Sequence, residues 1–281
     1  MTKDIHEIKK KYSYFETWRI SRLPTIMCRV SPFFPISRSK LGESNSEIRN
    51  FIIENSWGAV EYNGPLLSVI DEDVFLAILY RLEFNKVGDN ASIQKTNNII
   101  EVQDSLYQIT KTLGMSKSKR SRDIIKQSLN KMQNVHLRSI ETAKNNYLTS
   151  SLILSSNMNN DNKLMMTIDP EFYDRLIYYP HSTKIHLEWR RLLKSQVAKA
   201  LYRFVCSHSH KKWTGGIKPL GEAINLDKSQ PIWRWKSIIK PALKELKEKN
   251  IFEPSSFINK KNIAILEVKR DFCGAKRKKS R

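Results

Sequence analysis

Val74, Phe75, Ile78, Leu79 and Leu82 recur at the three- and four-residue spacing of an α-helix, directly after the acidic run Asp71, Glu72, Asp73. The pattern predicts a helix with Asp71 at its N-cap and the next two carboxylates facing the positive end of the helix dipole. A metal site is the other use of such a trio. No histidine or further carboxylate stands at ligand spacing nearby, so capping is the reading and no metal or other cofactor is expected. Upstream, SWGAVEYNG (56–64) reads as a strand running into a turn, and downstream KVGDNASIQKTNN (86–98) reads as polar loop. Residues 1–45 mix lysines with Trp18, Phe33, Phe34 and several prolines without a sustained period, and read as an arm or linker.

Two later stretches share one order of parts. In the first, Leu106, Ile109 and Leu113 mark a short helix, Gly114 breaks it, and Ile124, Ile125, Leu129 and Met132 form the apolar stripe of a longer helix. LRSIETAK, YLTSSLILSS and KLMMTID then read as strands, the last two joined by the loop NMNNDN. In the second, Leu220 and Ile224 mark a short helix that ends in a turn with Asn225 and Asp227. A long helix follows with the stripe Ile232, Trp235, Ile238, Ile239, Ala242, Leu243 and Leu246. Pro231 suits its first turn, and Pro241, inside it, should bend it. Two extended pieces around the turn Asn259–Asn262 close the unit.

IIKQSLNKM (124–132) lies without a gap on IIKPALKEL (238–246), and Ile109, Leu113 and Met115 lie on Leu220, Ile224 and Leu226. An internal duplication is the preferred account of this match. Short helix, turn, longer helix and hairpin make a winged helix-turn-helix. The expected fold is therefore α+β and predominantly helical: an arm (1–45), two tandem winged-helix domains (46–170 and 171–270) and a basic tail (271–281).

Charge then selects the partner. The 281 residues hold 49 Lys and Arg against 28 Asp and Glu, a net charge of +21, which points to a polyanion and first to nucleic acid. The excess gathers on the two long helices. Lys119, Arg120, Arg122, Lys126 and Lys131 lie off the first stripe, with Lys117 in the turn before them; Trp233, Lys236, Lys240, Lys244 and Lys247 lie off the second. A helix that enters a major groove needs one side anchored in protein and the other offering cations to phosphates and long donors to base edges. Arg234 and Lys240 are the expected base contacts, and Lys260 and Lys261 occupy the second wing turn. Trp233 is either a DNA contact or packed against a neighbour. In the tail, Lys276, Arg277, Lys278 and Lys279 are expected to grip phosphates without sequence preference. Three cysteines without a C-x-x-C argue for free thiols, and no apolar run is long enough to span a membrane. A cytoplasmic protein is expected.

The order of several motifs resembles plasmid replication initiators with two winged-helix domains, most closely the TrfA type. PTIMCRVSPFF (Pro24, Arg29, Phe33) is similar to that family's P-N-x-x-x-R-S-x-L-F signature, departing at Val30 and Ser31. EYNGPLLSVIDEDV (Tyr62, Gly64, Leu67, Asp71) resembles its entry to the first domain. TIDPEFYDRL, the run STKIHLEWRRLLKSQVAKALYRFVCSH and ALKELKEKNIFE resemble successive parts of the second. The Asn-rich wing is a further departure.

The resemblance implies binding to repeated origin sites (iterons), help in melting an adjacent A+T-rich region, and recruitment of the host replicative helicase and chromosomal initiator. It also implies self-association through the first domain. A repressor or partition protein built from the same winged-helix pair would bind DNA by the same chemistry. A rolling-circle nicking enzyme would need a tyrosine and a metal held by histidines. CSHSH (Cys206, His208, His210) is the cluster to test, and it reads instead as helix C-terminal histidines facing carbonyls. With no P-loop and no G-x-S-x-G, no catalysis is expected.

Overall fold

The computed structural model describes residues 19–36, 48–84, 93–96, 99–140, 148–158, 163–168 and 182–269. Its first segment corrects the reading of 1–45 as an arm. β1 (Ile20–Pro24), α1 (Thr25–Arg29) and β2 (Phe33–Phe34) are folded, and Leu23, Cys28, Val30 and Phe33 are fully buried. β1 pairs antiparallel with β12 (Ser182–His186), so a strand near residue 20 completes a ribbon about 160 positions away. The motif PTIMCRVSPFF is a strap: the Arg29 guanidinium donates to the Ser207 carbonyl at 2.7 Å, and the Ser31 carbonyl accepts from Asn225 Nδ2 at 2.6 Å.

β3 (Ile48–Asn55) and β4 (Gly58–Pro65) form a hairpin that leads through β5 (Leu67–Ser68) into α2 (Val69–Phe84). This helix is apolar on more than the predicted stripe. Leu76 and Ala77 are as fully buried as Phe75 and Leu79, as befits a helix enclosed on all sides. Its cap is Ser68 rather than Asp71. Ser68 Oγ accepts from the Ile70 and Asp71 N–H groups at 3.2 and 3.3 Å, while Asp71 Oδ2 accepts from the Ser68 N–H at 2.6 Å, a reciprocal capping box.

Glu72 and Asp73, expected merely to face the dipole, enter a buried ion network. Glu72, fully buried, accepts from Arg190 at 3.0 Å and Arg203 at 2.6 Å; Asp73 accepts from Arg190 at 2.6 Å and pairs with Lys199. Arg190 lies on α5 (Leu187–Leu192), and Lys199 and Arg203 lie on α6 (Gln196–Cys206). A carboxylate removed from water is tolerable only where cations and donors replace its hydration. The network therefore clamps α2 to α5 and α6, and the two cations hold Asp73 below the usual carboxylate range despite its burial.

Between α2 and α5 lie two four-stranded sheets and a helix pair. β6 (Ile93–Thr96) falls inside the segment read as polar loop and pairs with β7 (Ile99–Ser105). α3 (Leu106–Leu113) and α4 (Lys119–Gln133) follow. The chain then makes β8 (His136–Ile140), β9 (Leu148–Ser151), β10 (Ser155–Met158) and β11 (Lys163–Ile168). The segment read as one strand over 147–156 is split at the buried Leu152 and Ile153. β8 and β9 extend the first hairpin into the sheet β3-β4-β8-β9; β10 and β11 form the wing, in the sheet β10-β11-β7-β6.

After α6 come β13 (Lys212–Gly216), α7 (Ile217–Ala223), α8 (Ile232–Glu248), β14 (Phe257–Ile258) and β15 (Ile263–Glu267). Their sheet order is β13-β15-β14. In each stretch the strand before the helix pair lies beside the second strand of the hairpin after it, with the first hairpin strand outermost. Helix and strand are mixed in the described residues, so the expectation of a predominantly helical chain is corrected to a mixed one.

Candidate nucleic-acid interface

The two helix pairs close their turns with the same hydrogen bonds. Gly114 follows α3 in the left-handed region at φ 65°; its N–H donates to Lys111 O at 3.1 Å, and the Met115 N–H donates to Thr110 O at 3.1 Å. Asn225, just past α7, stands at φ 58°; its N–H donates to Glu222 O at 3.1 Å, and the Leu226 N–H donates to Gly221 O at 2.8 Å. Both are Schellman turns, offset by 111 positions throughout, which is the offset of Ile109 on Leu220. Gly or Asn is needed at each C′ position because other side chains resist positive φ.

The bracing around the turns differs. At the first, Arg19 donates to the Lys111 and Thr112 carbonyls at 2.9 and 3.2 Å, and Glu188 pairs with both Arg19 and Arg191. A Cβ on Gly114 would meet the Arg191 guanidinium at 2.0 Å. At the second, Asn225 itself reaches the strap, donating to Ser31 O and Phe33 O.

Each turn delivers a long helix with one side buried. On α4, Ser118 caps the N-terminus by accepting from the Ser121 N–H, and Ser121, Ile125, Ser128, Leu129 and Met132 are buried. Lys117, Lys119, Arg120, Arg122 and Lys126 are exposed, as a DNA-facing side requires. Lys119 and Arg120 stand at the rim of a cleft of about 1140 Å³ between α4 and α5. Lys131 is the exception. It is 6% exposed and pairs at 3.6 Å with Asp71, whose other oxygen accepts from Ser128 at 2.6 Å, so it anchors α4 to α2 and cannot reach a phosphate.

Tyr107 was missed by sequence reasoning. It is 45% exposed, with the Lys117 ammonium 4.6 Å from its ring centroid. Its place off the Leu106–Ile109–Leu113 stripe was the available signal.

On α8, Trp235, Ile239, Ala242, Leu243 and Leu246 are buried and Ile238 half-buried, but Ile232, assigned to the core, is 44% exposed. Pro231 stands at the N-cap, one place before the first turn, and the helix continues through Pro241. Arg234, Lys240 and Lys244 are exposed, the last 3.7 Å from Glu248, an exposed pair of little energetic weight. Lys236 is half-buried and donates to Asn262 Oδ1 at 2.8 Å; the Asn262 carbonyl accepts from the Ile217 N–H at 2.9 Å. The wing turn is thus tied to both helices of the pair, and Lys260 and Lys261 project from it exposed. Trp233 is 69% exposed, which removes the packing alternative. Lys276, Arg277, Lys278 and Lys279 lie outside the described residues.

The structure brings together matching faces. At the 114-residue offset of the helix alignment, the buried Ser121, Ile125, Ser128, Leu129 and Met132 fall on the buried Trp235, Ile239, Ala242, Leu243 and Leu246. The exposed Arg120 and Lys126 fall on the exposed Arg234 and Lys240.

The histidine cluster offers no comparable arrangement. His208 Nδ1 lies 2.9 Å from the Phe204 carbonyl at the end of α6, as a helix C-terminal histidine should, and burial lowers its pKa. His210 is exposed, and no group of three His, Cys, Asp or Glu suited to a metal occurs among the described residues. Cys28 and Cys206 are free and buried, with the Cys28 thiol pushed up to about 12 by desolvation; Cys273 lies outside the described residues. No helix among the described residues is long and apolar enough to cross a membrane.

No curated protein matches the chain in sequence. Among solved structures, one of domains 2 and 3 of RctB superposes with a TM-score of 0.55 at 12% identity, over 88% of this chain and 98% of that one. A second structure of the RctB domains 2–3 gives 0.52 at 12% identity, over 88% and 97%. At such identity the likeness is one of fold. The family model described as Initiator Replication protein, WH1, matches residues 55–206, more than half of the chain, and takes in α2, the α3–α4 pair and the β10–β11 wing. The chain therefore belongs to the Initiator Replication protein family.

Proposed function

We propose that this protein is a plasmid replication initiator that reads double-stranded DNA with two tandem winged-helix units, the first ending near residue 170 and the second spanning about 171–270. The observation that carries the reading is the repeat itself: two Schellman-closed turns, each presenting a helix with matched buried and cationic faces. A helix enters the major groove in such motifs, and two on one chain address successive grooves of a site roughly two helical turns long. Repeated origin sites (iterons) are the target, and the net charge of +21 supplies the phosphate attraction common to all sequences.

The initiator then assists melting at the origin and recruits the host replicative helicase and chromosomal initiator, acting in the bacterial cytoplasm without catalysis of its own. Self-association through the first unit is supported by β3, an edge strand on which Ile48 and Ile52 are 74% and 56% exposed.

A transformation assay tests the reading. The gene supplied in trans should sustain a plasmid carrying only the neighbouring origin, and footprinting should reveal repeated protected sites within it. Protection of a single palindrome over a promoter, with no plasmid maintenance, would assign the protein to repression instead.

A further inference from the structure

The two helix faces match except at their entrance. At the 114-residue offset Trp233 falls on Lys119 and Ile232 on Ser118. The rotation of α8 is locked by Trp235, whose Nε1 donates to the Asp227 carbonyl at 2.9 Å and whose ring lies so close to Gly221 that a Cβ there would come within 2.3 Å. Two residues earlier on a 3.6-residue turn, Trp233 is carried to the other side of the helix. It is 69% exposed beside the 44% exposed Ile232. Three and seven positions on, Lys236 and Lys240 continue the same row, and Arg234 adjoins it. An apolar group at the head of a cationic row is delivered to a polyanion, and there it needs an apolar partner. The major-groove edge of a base pair offers donors, acceptors and one apolar group, the thymine 5-methyl.

We infer that Trp233, supported by Ile232, is a specificity-determining residue that reads a thymine methyl group in the bound repeat. The first unit spends the matching position, Lys119, on phosphate. This assignment rests on the proposed duplex-reading role and adds which base the second unit distinguishes.

The test uses the full chain and the duplex protected in the footprint, with each thymine replaced singly by uracil, which removes only the methyl group. Binding is titrated at fixed salt, because affinity depends strongly on it. One buried methyl is worth about 0.8 kcal/mol, so wild type should lose about fourfold at one or two neighbouring positions per repeat and nothing elsewhere. W233A, whose exposed site leaves folding intact by circular dichroism, should bind the thymine duplex more weakly and ignore uracil at those positions. K119A should weaken binding on every duplex alike while keeping the uracil pattern.

Wild type that binds its repeat yet ignores uracil at every position overturns this assignment alone. So does W233A that keeps the wild-type pattern, as it would if Trp233 instead docked a protein or stacked on unpaired bases. A chain with no preference for any duplex overturns the initiator reading as well.

Discussion

α4 and α8 show the same side to solvent and hold on to the protein by different means. Lys131 of α4 and Glu245 of α8 occupy equivalent places at the 114-residue offset. Lys131 is buried against Asp71 of α2, whereas Glu245 accepts from the backbone N–H groups of Lys194 and Ser195 at 2.5 and 3.2 Å, ahead of α6. The same helical position serves a cation in one unit and an anion in the other. The difference teaches that the outward face of a reading helix follows from its own period, while the inward anchors are chosen by whatever each helix meets. The helices that precede the two pairs are likewise unlike: α2 supplies the carboxylates of the buried network and α6 two of its cations.

The sharpest way to break this contrast is to empty the network. Glu72→Ala leaves Arg190 and Arg203 buried without their shared carboxylate and should cost about 3–5 kcal/mol in urea unfolding. A loss below about 1 kcal/mol would mean that the clamp between α2 and α6 carries little of the stability.

The anchors come next. Lys131→Met should destabilise by about 2 kcal/mol, since Asp71 keeps its bonds to Ser68 and Ser128 but loses its cation. Glu245→Ala removes an acceptor from two backbone donors and should cost about 1 kcal/mol. Equal losses from both would contradict the difference in burial between the two sites.

The turns give a smaller separation. Gly114→Ala meets both positive φ and the Arg191 guanidinium and should lose about 1–2 kcal/mol. Asn225→Gly relieves the left-handed backbone but gives up two hydrogen bonds to the strap, and these should cancel to within about 0.5 kcal/mol. Thermal melts of both variants decide it.

The outward faces should respond alike. Lys126→Ala and Lys240→Ala should each leave stability within about 0.5 kcal/mol. If each contacts a phosphate, each lowers the slope of log affinity against log salt by about 0.9. A change at one helix only would show that the matched faces are not both used on the duplex.

Much of this was open to sequence reasoning. The 3.6-residue stripes placed Ile125, Leu129, Met132, Ile239 and Leu246 correctly, and the residues between them named most of the exposed cations. Gly114 and Asn225 marked both turns. Lys131 misled because a lysine off an apolar stripe is ordinarily solvated; only the fold brings Asp71 beneath it. Ile232 misled in the opposite sense, since an apolar residue at the right spacing has no core to enter where the helix projects past its support. Tyr107 was readable but isolated, and its partner Lys117 sits ten residues away across a turn.

What the amino-acid order determined by itself is local: helix period, the residues able to take positive φ, and the surplus of cations on two outward faces. These depend on neighbours within a few positions, where chain geometry alone brings side chains into line. The strap, the pairing of β1 with β12 and the partners of Asp71, Glu72 and Asp73 were decided only by tertiary structure. Hydrogen bonds and ion pairs between residues more than a hundred positions apart leave no period in the chain, because any complementary group that folding brings near can satisfy them.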